Sequence, residues 1–213
     1  MTDFAAARAN MVDGQVRTNS VTDLRVISAM REVPRERFLP TANAGIAYLD
    51  IDTPLAGSRR LLKPMVLAKL LQAADLKPGD RVLDIACATG YGAAVLARVV
   101  SHVTALEPDT ALIQVGKAAL PANVTVVSGP LTAGWPQGAP YDAIVLEGAT
   151  EIVPHDLCQQ LKDSGRLVCV LGSGPGAKAM LYQRSGNEIG DRPVFDAAAA
   201  LLPGFAKTPV FAF

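Results

Sequence analysis

The sequence predicts an α/β fold: a doubly wound parallel sheet with an N-terminal helical extension and a C-terminal β-hairpin. Three observations predict it. Between Arg81 and Gly172 short apolar runs alternate with helical stretches, the segment before them is helical in pattern, and two extended runs after them flank a tight turn. Short, continuously apolar strands separated by helices fit a parallel sheet covered on both faces.

Each element has a local reason. Asp23 stands as an N-cap before "LRVISAMREV", whose Leu24, Ile27, Met30 and Val33 recur at helical spacing, and Pro34 ends the pattern. Gly45 to Lys63, with Pro54, Gly57, Arg59 and Arg60, reads as a loop or lid-like connection. Met65 to Ala74 reads as an amphipathic helix closed by the turn at Pro78 and Gly79. The strands come next, at Arg81–Ala86, Val103–Glu107, Val124–Val127, Tyr141–Gly148 and Arg166–Gly172. Helices are expected over Tyr91–Val100, around Ala111–Leu120 and over "PHDLCQQLKD". Ser185, Gly186 and Asn187 then separate "AMLYQR" from "EIGDRPVF", a hairpin signal.

Composition removes several classes of function. Of 213 residues 50% are hydrophobic, and 20 Lys+Arg balance 20 Asp+Glu. The isoelectric point near 6.7 leaves no basic face for a phosphate backbone, so nucleic acid is not an expected partner. No run approaches the ~18 apolar residues of a membrane span, and the first residues lack the basic and apolar regions of a secretory signal. The expected location is the cytoplasm, with no membrane partner. Cys87, Cys158 and Cys169 form no C-x-x-C pair, and His102 and His155 are the only histidines, so neither a disulfide framework nor a metal site is expected.

Ligands of such sheets bind beyond the carboxyl ends of the strands. After the first strand comes "DIACATGYG", with Asp84, Ala86, Ala88 and Gly90 in the spacing of an acidic-x-Gly-x-Gly-x-Gly nucleotide loop of which only the last glycine is present. Glycine suits that loop because the backbone turns tightly and passes close to the ligand. Glu107 ends the second strand about 20 residues on, where a carboxylate accepts hydrogen bonds from a ribose diol. The loop alone is equally readable as a plain strand-to-helix turn; Glu107 favours an adenosine ligand. Segments "SGPLTAG" and "EGATEIVP" come after the third and fourth strands. Cys87 lies next to a helix N-terminus, which lowers a thiol pKa, or is a buried inert thiol. Trp135 reads as a cap on the core.

The stretches "AMREVPRERFLP", "AYLDIDTPLAGSRRLLKPMVLAKLLQAADLKPGDRVLDIACATGYGAAVLARVV" and "APYDAIVLEGATEIVPHDLCQQLKDSGRLVCVLG" resemble the protein-L-isoaspartate O-methyltransferase family, from about Met11 to Gly172. "VPRERFLP" leading to "AYLD" is the most specific part. The resemblance implies a Rossmann-like methyltransferase fold that binds S-adenosylmethionine and methylates the carboxylate of isoaspartyl residues in damaged proteins or peptides. It implies one methyltransferase-like domain over 1–213: an extension over 1–64, a core over 65–172, and a hairpin and tail over 173–213. Asp84, Ala86, Ala88, Gly90 and Glu107 fall on the family's cofactor motifs. Gly129, Pro130 and Leu131 fall where the family carries Gly-Asp-Gly against the adenine.

Departures accompany the likeness. Leu62 stands at the family's hydroxyl residue, two positions before the proline, and a leucine donates no hydrogen bond to an acceptor carboxylate. Ala86 and Ala88 replace loop glycines, and Pro130 offers no N–H. Arg59 and Arg60, beside Leu62, read as a cationic clamp for an anionic substrate or as a solvated pair. Two functions are implied: a methyltransferase acting on isoaspartyl residues or another acceptor, and a non-catalytic descendant that binds a ligand or partner in the same crevice.

Overall fold

Capping carboxylates start the helices of the N-terminal extension. In the computed structural model, which describes residues 3–208, the Asp3 carboxylate accepts from the Ala6 N–H at 3.0 Å and opens α1 (Phe4–Met11). Asp23 does the same for the Arg25 N–H at 2.9 Å at the start of α2 (Leu24–Glu32). The buried stripe of α2 is Val26, Ile27, Ala29 and Met30; Leu24 is 74% exposed, because the first turn projects past the core. The expected loop over 45–63 contains a small antiparallel pair, β1 (Thr53–Pro54) and β2 (Arg60–Leu61), with Leu61 facing inward. Pro64 at N1 then starts α3 (Pro64–Ala73), which buries Val66, Leu67, Leu70 and Leu71. Each such side chain contributes ~1.5–3 kcal/mol on leaving water.

The main sheet and its helices run in the order β3 (Arg81–Ile85), α4 (Tyr91–Leu96), β4 (His102–Leu106), α5 (Thr110–Gly116), β5 (Val124–Val127), β6 (Tyr141–Thr150), α6 (His155–Cys158), β7 (Leu161–Leu171), β8 (Lys178–Ser185) and β9 (Glu188–Asp196). The strand order in space is β5-β4-β3-β6-β7-β8-β9. β3 to β7 are parallel, and β8 and β9 extend the sheet as the expected antiparallel hairpin. Three helices are shorter than their sequence pattern, α5 passing into a 3-10 turn over Lys117–Ala119. α4 stops at Leu96, where the N–H groups of Val99 and Val100 both turn back to the Leu96 carbonyl. α6 spans four residues, because Leu161 already pairs with Tyr141 as part of β7.

Because β3 pairs with β4 on one side and β6 on the other, the chain reverses its winding at the carboxyl end of β3. Side chains alternate between the faces. Val82, Val103, Ala105, Val145 and Val168 face one core, shared with α1 to α4. Leu83, Ile85, Leu106, Ile144 and Leu146 face the other, closed by Leu157, Leu202 and Phe205. The same alternation puts Asp84, Glu107 and Glu147 on the α4 face, at the ends of three adjacent strands. Among the described residues no helix is long and apolar enough to cross a membrane.

Candidate functional site

The turn after β3 is built on left-handed backbone. Ala86, Ala88 and Gly90 have φ of 63°, 52° and 91°. Glycine is unstrained there, whereas each alanine costs ~1–2 kcal/mol. Backbone bonds hold the turn: the Ala86 and Cys87 N–H groups donate to the Leu106 carbonyl at 3.0 and 3.4 Å, and the Gly90 N–H to the Cys87 carbonyl at 2.7 Å. A Cβ at Gly90 would also lie 2.8 Å from Leu120 Cδ2.

This turn and the end of β4 surround the Glu107 carboxylate, which is 1% exposed. It accepts from the Ala88 N–H at 2.9 Å and the Asp109 N–H at 3.1 Å. Arg59 completes the set as a fork: Nη1 donates to Oε1 and Nη2 to Oε2, each at 2.7 Å, and Nη2 also reaches the Ala86 carbonyl at 3.0 Å. Arg59 is therefore not a solvated surface residue. It lies across the carboxylate at the ribose position of the nucleotide-loop pattern.

The neighbouring carboxyls are arranged differently. Asp84 is fully buried, and neither of its oxygens has a hydrogen-bond donor in the fold. Beside it lies Glu147 on β6, 4% exposed and with Oε1 unpartnered. Glu147 comes so close to α4 that a Cβ on Gly92 would sit 1.7 Å from its Oε1, so Gly92 makes room for the carboxyl. Burial is the largest cause raising both pKa values: Asp84 rises well above the ordinary carboxylate range, and Glu147 to about 7. Two touching carboxyls in an apolar setting cannot both ionise at little cost, so the pair keeps a proton. Thr89 Oγ1 and Tyr91 Oη are also buried there without partners.

The remaining predicted residues fall around this centre. Leu62 is buried, and its carbonyl accepts from Arg35 Nη2 at 2.8 Å. Arg35 is itself fully buried, donates from Nε to the Ala47 carbonyl at 2.8 Å and stacks on the Tyr91 ring at 4.7 Å. It thereby ties the strand-to-helix junction at Leu62 to the first turn of α4. Exposed Arg60 shares with Arg59, Leu62, Glu147, Leu201 and Leu202 a crevice of about 10 Å³, room for no more than one water. The tail closes it: Ala149 exchanges hydrogen bonds with Ala200 and Leu202 at 2.8 and 2.9 Å.

Gly129 lies at the end of β5 under Trp135, whose Cζ3 would be 3.5 Å from an added Cβ. Pro130 opens a short turn that buries Leu131 in the second core. Cys87 is buried, and burial followed by the charges of Asp84, Glu147 and Glu107 pushes its pKa up, so the thiol is not activated by the helix. Among the described residues no group of His, Cys, Asp and Glu could hold a metal ion.

Sequence reasoning located Asp84 and Glu107 but missed Glu147, Arg35 and Thr89. For Glu147 a signal existed: in "VLEG" it has the parity of Val145, hence the face of Asp84. Nothing local marked Arg35, which sits unexceptionally in "VPRERFLP".

Asp84, Glu107 and Glu147 thus lie buried on one face of the sheet where its winding reverses, and the chain is similar to known proteins of this architecture. The profile of the protein-L-isoaspartate(D-aspartate) O-methyltransferase family matches residues 6–194. A protein-L-isoaspartate O-methyltransferase of Methylorubrum extorquens is 41% identical over 189 residues, 87% of this chain and 83% of that protein. One from a Roseiflexus species is 36% identical over 97% of this chain and 96% of its own. A solved protein-L-isoaspartate O-methyltransferase superposes with a TM-score of 0.78 at 25% identity, over 92% of this chain and 66% of that one. A Plasmodium falciparum structure described as a complex with S-adenosyl-L-homocysteine shares the fold, with a TM-score of 0.75 at 18% identity over 95% and 99% of the two chains. With a family profile over most of its length and relatives of matching extent, the chain belongs to the protein-L-isoaspartate(D-aspartate) O-methyltransferase family.

Proposed function

We propose that this protein uses S-adenosylmethionine to methylate the carboxylate of isoaspartyl residues in damaged proteins. One observation carries the cofactor part: at the carboxyl end of β3 the buried Asp84 carboxyl, Glu147 Oε1 and the Thr89 hydroxyl have no partner in the fold beyond the proton that Asp84 and Glu147 share. Buried polar groups are nearly always satisfied, so unpartnered acceptors in a crevice fit a ligand carrying donors and positive charge. S-adenosylmethionine has both, in its ammonium and sulfonium groups, and when bound it supplies an electrophilic methyl. Asp84 and Thr89 would hold the ammonium end and Glu107 the ribose hydroxyls. Left-handed Ala86, Ala88 and Gly90 would let the backbone pass close to the ligand. Gly129, Pro130 and Leu131 would border the adenine, by van der Waals contact in place of an acidic acceptor.

On the acceptor side Arg59 and Arg60 supply the positive charge that a carboxylate needs, and buried Leu62 helps to exclude water. An acceptor that is already an anion needs orientation and desolvation, with no proton removed, which fits a crevice without a catalytic histidine or thiol. The whole chain acts as one domain, and its three buried free thiols suit the reducing cytoplasm.

Calorimetric titration with S-adenosylhomocysteine and radiolabelled methyl transfer to an isoaspartyl peptide test the proposal. Absence of heat at about millimolar ligand overturns it. Leu62→Ser restores a hydroxyl and is expected to raise kcat/KM for the peptide, while lost burial lowers stability by ~2–4 kcal/mol. A second reading has a specific basis: Leu62 and the Glu147 carboxyl both line the acceptor crevice. They favour an acceptor that gives up a proton, an amine or hydroxyl, over a second carboxylate. Methyl transfer to such acceptors, with none to the isoaspartyl peptide, would select it.

A further inference from the structure

The Arg59–Glu107 fork sits where two ligands would meet. Arg59 is held by two charge-assisted bonds of 2.7 Å to the carboxylate that the cofactor's ribose would need. Glu107 is not dependent on it, since two backbone N–H groups also donate to that carboxylate. Arg59 also lines the closed crevice of about 10 Å³ with Leu62 and Glu147, on the acceptor side. Its guanidinium is thus within one side-chain swing of either place.

Local charge balance governs where Arg59 goes once neutral hydroxyls occupy Glu107. The guanidinium loses its counter-ion, and the incoming ligand's ribose hydroxyls, being neutral, supply none in its place. Asp84 and Glu147 share a proton and face a cationic ligand, so they make a poor replacement. Asp52 lines the same crevice but already accepts from the Lys63 N–H at 2.9 Å, and an acceptor carboxylate at the crevice mouth, whose interior holds no more than one water, restores the balance.

We propose that Arg59 couples the two ligands: it latches Glu107 while the crevice is empty, is exchanged off by the cofactor's ribose, and then positions the acceptor carboxylate. The proposal rests on the methyltransferase reading of the site. In it Arg59 is a positioning residue that supplies the binding contact absent at Leu62. Its thermodynamic signature is positive coupling, which linkage makes reciprocal.

The test uses the full chain and two ligands, S-adenosylhomocysteine and an isoaspartyl peptide, each titrated with and without the other. Wild type is expected to bind the peptide about 10-fold more tightly once S-adenosylhomocysteine is present, a coupling of ~1.4 kcal/mol. Arg59→Ala is expected to bind S-adenosylhomocysteine alone several-fold more tightly, to bind the peptide more weakly, and to show no coupling. Arg59→Gln, which keeps a donor for Glu107, guards against a folding defect and should fall between. Weaker or unchanged S-adenosylhomocysteine binding in both variants, or coupling that survives in them, overturns the latch. If wild type and variants all fail to bind S-adenosylhomocysteine, the methyltransferase reading falls and the latch with it.

Discussion

Two acidic places share one crevice and are treated in opposite ways. Glu107 is over-supplied: a bidentate guanidinium and two backbone N–H groups converge on it. Asp84 and Glu147, on the adjacent strand ends, have no donor beyond the proton between them. The difference separates two strategies for keeping a buried carboxyl. One keeps its charge and pairs it within the protein; the other gives up charge and leaves polar capacity for a ligand. A ligand that hydrogen-bonds to Glu107 would have to break an existing contact, whereas one at Asp84 would need only to bring donors.

Removal of Glu107 has the largest expected effect. Glu107→Ala strands the Arg59 guanidinium and two N–H groups, and breaking a buried pair in this way costs ~3–5 kcal/mol. Arg59 lies at the rim, with 11% of its side chain exposed, and can turn to water, so a loss of ~3 kcal/mol is expected by urea unfolding. S-adenosylhomocysteine binding should vanish in the same variant. Arg59→Ala should cost clearly less, because Glu107 keeps its backbone donors. Equal costs would mean that the two partners are equally dependent, contrary to the geometry.

The second place predicts a pH dependence of opposite sign to that of an ordinary paired carboxylate. The folded pKa of Glu147 is about 7 against an ordinary 4.5, so between those values the folded state binds more protons than the unfolded chain. Stability then falls as pH rises through that window, by on the order of 3 kcal/mol from Glu147 alone. Asp84, raised in the same direction, extends the fall to higher pH. Thermal unfolding between about pH 5 and pH 8 measures it. Glu147→Gln removes one titrating group and gives Asp84 an amide donor, so its decline should be shallower. A variant as steep as wild type would place the titration elsewhere.

Strand-by-strand alternation made the sheet readable in the sequence, and with it the positions of Asp84 and Glu107 at strand ends. Partners distant in sequence were not readable. The pairing of Arg59 with Glu107 spans 48 residues, and a loop arginine carries no local mark of where its guanidinium goes. The loop over 45–63 hid a strand pair of two residues each, too short for any period to register. The helix expected from "PHDLCQQLKD" yields to β7 at Leu161, because pairing with Tyr141 outweighs local helical spacing. Glu147 was readable in principle, since it lies within the expected strand at the parity of Val145, but the ligand-loop pattern looks only at residues beyond each strand's end, and β6 runs on to Thr150.

The smallest expected effect concerns the loop that joins the two places, since Ala88 donates to Glu107 and the turn begins two residues after Asp84. Ala86 and Ala88 adopt left-handed φ of 63° and 52°. Replacing either by glycine removes ~1–2 kcal/mol of strain and returns ~0.4–1 kcal/mol as added freedom of the unfolded chain. Each substitution should therefore raise stability by ~0–1.6 kcal/mol, and the pair by less than the sum, because they share one turn. Ala93→Gly is the control: in the right-handed backbone of α4 the same change should lower stability by ~1 kcal/mol. Opposite signs in urea unfolding are the expected result. If Ala86→Gly and Ala88→Gly lower stability as Ala93→Gly does, the loop is not strained. If they raise stability and tighten S-adenosylhomocysteine binding together, the two methyls act on both counts, by strain and by holding the ligand off the backbone.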